Sequence, residues 1–103
     1  METLVSVVVP CFRYALYLPD CIGSIRNQSY KNIEIIVVND CSPDNTVEAC
    51  DELEVMCVST PKNVGLGAAR NLGISLAKGR YIMCLDADDM LTPDSIKEHV
   101  SLM

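Results

Sequence analysis

Three carboxylates fall within four consecutive positions of GRYIMCLDADDMLTPDS, residues 79–95: Asp86, Asp88 and Asp89. They follow an apolar run, residues 81–85, of the kind a sheet buries. Charges this close repel one another, so something is expected to neutralise them. Mg or Mn is suited to the task, because hard divalent cations take carboxylate oxygens, keep some water and bridge to substrate phosphates. A polar loop capping the next helix is the alternative, since acids near a helix N-terminus are favourable by themselves. A calcium-binding EF-hand loop beginning at Asp86 would need Gly at its sixth position and Glu at its twelfth, where Leu91 and Lys97 stand. An aspartyl phosphatase, with Asp86 as nucleophile and Asp88 as acid, is a further reading of the same pattern.

Other residues of chemical interest are scattered. Asp40 could accept hydrogen bonds from a nucleobase or a ribose, or could be a turn residue in NDCSPDN. Phe12 could stack on a base or simply pack. Arg70 could meet a diphosphate as a charge-assisted donor, with Lys62 and Asn63 close by in the sequence. The segment NVGLGAARN has neither the GxGxxG spacing nor a Lys-Ser/Thr after Gly67, which disfavours dinucleotide and P-loop enzymes. Glu48, Asp51, Glu52 and Glu54 read as a solvated helix face.

The elements that must position these groups can be read from the same string. LVSVVVP is a strand covered on both faces and ended by Pro10; IEIIVVND is a second. Leu18, Cys21, Ile22 and Ile25 recur at helical spacing, with Pro19 in the first turn. In CSPDNTVEACDEL, Ser42 is the expected cap, Pro43 the first helical residue, and Val47, Cys50 and Leu53 the apolar stripe. VMCVST is a third strand. AARNLGISLAKG is a helix packing Ala69, Leu72, Leu76 and Ala77 and stopping at Gly79, YIMCL is a fourth strand, and Thr92-Pro93-Asp94 opens a last helix. Alternating units of about 30 residues predict an α/β, doubly wound, mostly parallel sheet. With the strand order 3-2-1-4, Asp40 and the acidic cluster would line one crevice at the carboxyl ends of the strands, on either side of Phe12.

Bulk properties exclude several classes. The chain has 103 residues, 50% of them hydrophobic, which is enough for one small domain with a core. A net charge of -6 with no basic run, and no Trp, argue against a nucleic-acid surface. No apolar stretch approaches the ~20 residues of a membrane helix, and no secretory signal is evident. The six cysteines (Cys11, Cys21, Cys41, Cys50, Cys57 and Cys84) contain no CxxC pair and lie far from the single His99, so a zinc site is poorly supported. They are read as reduced thiols of a cytoplasmic protein.

The segments VSVVVPCFRYALYLPDCIGSIRNQSYKNIEIIVVNDCSPDNT and NVGLGAARNLGISLAKGRYIMCLDADDMLTPDSI together resemble the N-terminal, donor-binding half of family 2 glycosyltransferases, which have the Rossmann-like GT-A fold. The resemblance covers nearly the whole chain and keeps the family's motif order. It implies that Pro10, Phe12 and Asp40 hold the nucleotide of a sugar nucleotide, with a UDP-sugar the expected donor. It implies the same for Arg70, Asn63 and Asp86 around the diphosphate and ribose. DADD resembles the family's DxD signature, with Asp88 the principal ligand of Mg or Mn and Asp86 and Asp89 assisting. Cys11 and Arg13 stand where Thr or Ser and Asn are commoner, and Cys41 where Gly is usual. The expected reaction is inverting transfer to a saccharide or lipid-linked acceptor hydroxyl, for cell-envelope polysaccharide, at the inner face of the membrane or in the cytoplasm. Such proteins run to more than twice this length. Residues 1–103 are therefore expected to be a truncated donor-binding part that is inactive alone, with the catalytic base in the missing half. A non-catalytic nucleotide-binding module is the alternative. The phosphatase reading is weaker: haloacid dehalogenases place their motif on the first strand and carry Thr or Val where Met90 stands.

Overall fold

A computed structural model describes residues 3–101. Four parallel strands form one sheet in the order β3-β2-β1-β4. They are β1 (Val5–Cys11), β2 (Ile33–Asn39), β3 (Met56–Ser59) and β4 (Tyr81–Cys84). The helices are α1 (Leu18–Arg26), α2 (Thr46–Glu52), α3 (Leu66–Leu76) and α4 (Ser95–Ser101), with a 3-10 turn at Ala15–Tyr17. The strand order is the one the sequence predicts.

Alternation along β1 assigns the two faces. Val5, Val7, Val9 and Cys11 pack with Leu18, Cys21, Ile22 and Ile25 of α1, Cys50 of α2 and Ile96 of α4. Val8 joins Ile36 and Val38 of β2 under Ala69 of α3 on the opposite face. The whole of β1 is buried, which is why it reads as an apolar run broken only at Ser6, whose hydroxyl donates to Glu34. β3 and β4 are edge strands with some residues exposed, so the expectation of two-sided cover holds only for the centre of the sheet.

Pro10 does not end β1; it pairs with Val38 inside the strand. The Leu85 N–H donates to the Val8 carbonyl, while the Asp40 N–H donates to that of Cys11. Even-numbered residues of β1 thus turn their backbone groups toward β4. That strand has already finished opposite Val8, so the N–H that Pro10 lacks is not missed.

Three helix details also differ from expectation. α2 starts at Thr46, because the Asp44 carboxylate accepts from the Thr46 N–H and hydroxyl and keeps residues 42–45 in a turn. Its apolar stripe is consequently Ala49, Cys50 and Leu53, and Val47 is exposed. α3 ends at Leu76, which is exposed, with Ala77 as its extended cap, rather than at Gly79. Gly79 serves close approach, since a Cβ there would lie 2.5 Å from the Ser6 hydroxyl. Gly73 does likewise in α3, where a Cβ would come within 2.3 Å of Val8 Cγ1.

Candidate functional site

Asp40, Asp86, Asp88 and Asp89 lie just beyond the carboxyl ends of β2 and β4. Beyond β4 the chain makes a turn in which the Asp89 N–H donates to the Asp86 carbonyl (2.9 Å). Ala87 is fully buried and anchors the turn in the core, leaving Asp86 half-buried and Asp88 and Asp89 exposed. One oxygen from each of these three carboxylates can be chosen so that all lie within 4.8 Å of one another. The donor set is oxygen only, with neither thiol nor imidazole in it, and it suits a hard cation that keeps part of its water. Arg70, one turn into α3, places Nη2 3.5 Å from Oδ1 of Asp86.

Pro10, Tyr14, Leu66, Asp86, Ala87 and Asp88 line a cleft of about 140 Å³ beside this turn. That volume is below the ~300 Å³ at which pockets enclose a whole small ligand, so it accommodates one group of a larger one. Of the sequence-derived candidates, the cleft brings together Pro10, Asp86 and Asp88. Phe12, Asp40 and Asn63 do not line it.

Asp40 is instead the post of the neighbouring loop. It is 1% exposed, and its Oδ1 accepts from the Thr60 hydroxyl and the Val64 N–H, each at 2.9 Å, while Oδ2 accepts from the Gly65 N–H, also at 2.9 Å. Gly65 has φ +89°, a conformation glycine adopts without strain, and it precedes the first residue of α3. Asp40 thereby fixes the start of the helix that carries Leu66 and Arg70. Asn63 is exposed on the same loop. Phe12 is half-buried, with the Arg13 guanidinium 5.2 Å from its ring centroid.

Two residues that depart from the family pattern have left-handed backbone: Arg13 at φ +64° and Cys41 at φ +52°. Both lie in the loops around Asp44, whose carboxylate accepts from the Ala15 N–H and the Ser42 hydroxyl, while that hydroxyl accepts from the Arg13 N–H. Partial burial disfavours ionised Asp44, but the hydrogen bonds from Ser42, Thr46 and Ala15 outweigh it and hold the carboxyl below its ordinary value. Beneath the acidic turn, burial pushes the Cys21 thiol up to about 12, and the charges of Cys11, Asp89, Asp88 and Asp86 add to this.

Sequence reasoning missed Tyr14, Leu66 and Asp44. Asp44 had a signal, because Asp in a run of turn formers commonly bonds the backbone two residues on. Tyr14, edge-on to Tyr17 at 5.6 Å, and Leu66 had none, because they reach the cleft only through the fold. All six cysteines are free thiols. No helix among the described residues is long and apolar enough to cross a membrane.

Comparison with known proteins adds to this geometry. Residues 6–103 match the profile of Glycosyl transferase family 2. Glycosyltransferase GlyG of Streptococcus pneumoniae is 41% identical over 102 residues, which are 94% of this chain and 34% of GlyG. Chondroitin synthase of Pasteurella multocida is 39% identical over 91% of this chain and 10% of its own. The chain thus spans about a third, or less, of the length of these relatives. Among solved structures, S. aureus TarS in complex with UDP superposes with a TM-score of 0.88 at 25% identity, over 94% of this chain and 31% of that one. Mannosyltransferase PcManGT of Pyrobaculum calidifontis, in complex with GDP-Man and Mn2+, gives 0.82 at 24% identity, over 87% and 29%. The GT-A fold expected from the sequence is the fold observed.

Proposed function

The chain belongs to Glycosyl transferase family 2, and we propose that it forms the donor-binding part of an enzyme moving a sugar from a nucleotide diphosphate to an acceptor hydroxyl with inversion. The observation that carries this reading is the convergence of the Asp86, Asp88 and Asp89 carboxylates beside Arg70 at the mouth of the cleft. TarS, similar over 94% of this chain, binds UDP, and this supports a uridine nucleotide here.

In this reading Asp88 is the principal ligand of Mg or Mn, assisted by Asp86 and Asp89. A cation bound there would offset the repulsion between the acidic turn and an anionic diphosphate, and would stabilise the charge left on the diphosphate as the glycosyl bond breaks. The residues of the chain supply the rest. Arg70 turns from Asp86 to the diphosphate. Pro10 and Phe12 border the nucleoside, and Asn63 offers an amide from the loop above it. Asp40 contributes by holding that loop and the first turn of α3 in place. The general base and the acceptor site belong to the two-thirds of the length that GlyG carries outside the matched region. The 103 residues then bind nucleotide without turning it over.

Chemical-shift mapping of labelled chain with UDP and with GDP, each with and without Mg2+, tests the proposal. Metal-dependent shifts at Pro10, Phe12, Asn63 and Arg70 with one nucleotide are expected. Shifts confined to other parts of the surface would contradict it.

A further inference from the structure

We infer that Gln28, acting with Ser24 and Cys21, is the positioning residue of the acidic turn; its consequence for cation binding rests on the metal-site reading above. Gln28 is fully buried, directly after α1. Its Nε2 donates to the carbonyls of Ser24 (3.1 Å) and Thr92 (2.6 Å), and its Oε1 accepts from the Ile96 N–H (3.0 Å). The Ser24 hydroxyl accepts from the Leu91 N–H (3.0 Å). The Cys21 thiol donates to the Asp86 carbonyl (3.8 Å), and the Ser29 N–H to that of Pro93 (2.8 Å).

Cys21, Ser24 and Gln28 recur at intervals of three and four residues, so α1 and its extension present them as one stripe. That stripe holds the chain at Asp86, Leu91, Thr92 and Ile96, on both sides of the three carboxylates. On the sheet side, among the described residues, the Leu85 N–H donates to the Val8 carbonyl and the exposed Arg70 pairs with Asp86. Like charges within 4.8 Å push apart, and a hydrogen-bonded mount resists that push. A buried amide is costly unless every polar atom is paired. Gln28 therefore admits one placement of segment 86–96, where a hydrophobe of equal volume would admit several. Groups that orient ligands from outside the coordination shell change metal affinity by roughly 10- to 100-fold.

The test compares the 103-residue chain with Gln28→Met, which keeps volume and removes three hydrogen bonds, and with Ile36→Ala, which loosens the opposite sheet face under α3. Ser24→Ala is the milder variant should Gln28→Met not fold, since it removes the acceptor for the Leu91 N–H and adds no charge. Two readouts are taken alongside thermal melting: Mn2+ affinity by water-proton relaxation, and amide exchange at Asp89 and Leu91 in the metal-free chain. Gln28→Met is expected to bind Mn2+ about tenfold more weakly and to exchange both amides faster. Ile36→Ala, though less stable, is expected to change neither. Wild-type exchange or wild-type Mn2+ affinity in folded Gln28→Met, or in Ser24→Ala where Gln28→Met does not fold, would overturn the positioning role, as would equal losses in Ile36→Ala. If the unaltered chain fails to bind Mn2+ while the exchange arm behaves as expected, the mount stands and the metal-site reading falls.

Discussion

Nη2 of Arg70 lies 3.5 Å from Oδ1 of Asp86, joining α3 to the turn that follows β4. Both side chains are partly exposed, 40% and 44%, and ion pairs this open to solvent contribute ~0–1 kcal/mol to stability. The contact therefore matters as a way of holding a guanidinium beside the acidic turn. Arg70→Ala should leave the melting temperature within a few degrees of wild type. It should weaken UDP binding in the presence of Mn2+ by roughly 10- to 100-fold, since charge-assisted hydrogen bonds are worth roughly 1.5–3 kcal/mol. Arg70→Lys should recover only part of this, because an ammonium lacks the planar fork. Titration calorimetry on the three proteins checks it.

Asp40 should behave in the opposite way. It is buried, and three donors converge on it. Asp40→Asn turns an amide NH2 toward at least one of those donors, and is expected to cost about 2 kcal/mol in urea unfolding. Nucleotide binding should weaken as well, because the start of α3 is released.

Cys41 and Arg13 adopt positive φ, which is unfavourable for any residue with a Cβ. Cys41 is exposed, and its thiol reaches the Pro61 carbonyl at 4.0 Å. Cys41→Gly should therefore stabilise the chain by about 0.5–1 kcal/mol, the strain relieved exceeding the entropy glycine adds to the unfolded state. An unchanged or lower urea midpoint would show that the loop relaxes elsewhere.

The acid side of the stability profile follows from two carboxyls held low in the folded state, Asp44 and Glu34. Burial disfavours the charge on Glu34, but the Ser6 hydroxyl and the N–H groups of Lys78 and Gly79 outweigh it. A depressed folded pKa gives stability that is present above the unfolded value and lost as pH falls through the folded one. Melting temperature should accordingly drop as pH falls below the ordinary values of 4.5 for Glu34 and 3.8 for Asp44. Glu34→Gln and Asp44→Asn should each flatten that drop. A profile unchanged in the double variant would place the acid sensitivity in other groups.

These residues also show what a sequence can and cannot reveal here. β1, β2 and the strand order were legible because a strand buried on both faces leaves a continuous apolar run, and alternating units permit few topologies. The acidic turn was legible because its three ligand candidates are adjacent in the chain. Pro10 misled because proline looks like a stop until the short length of β4 is known. Gly79 misled because a close approach to Ser6 and a helix stop call for the same residue. Asp40 stands out in the sequence as a strand-end carboxylate, but its partners at Val64 and Gly65 lie 24 and 25 residues away. Tyr14 and Leu66 became cleft residues only through the packing of α3 against the sheet.

The central claim is that the acidic turn binds a cation on which nucleotide binding depends. Titration of UDP into the wild-type chain and into Asp88→Ala, with and without Mn2+, tests it most directly, and Asp88 is exposed enough to be replaced without harm to the fold. The account predicts binding to the wild type that requires Mn2+ and is lost in Asp88→Ala. UDP bound equally with and without the metal, or unaffected by the substitution, would contradict it.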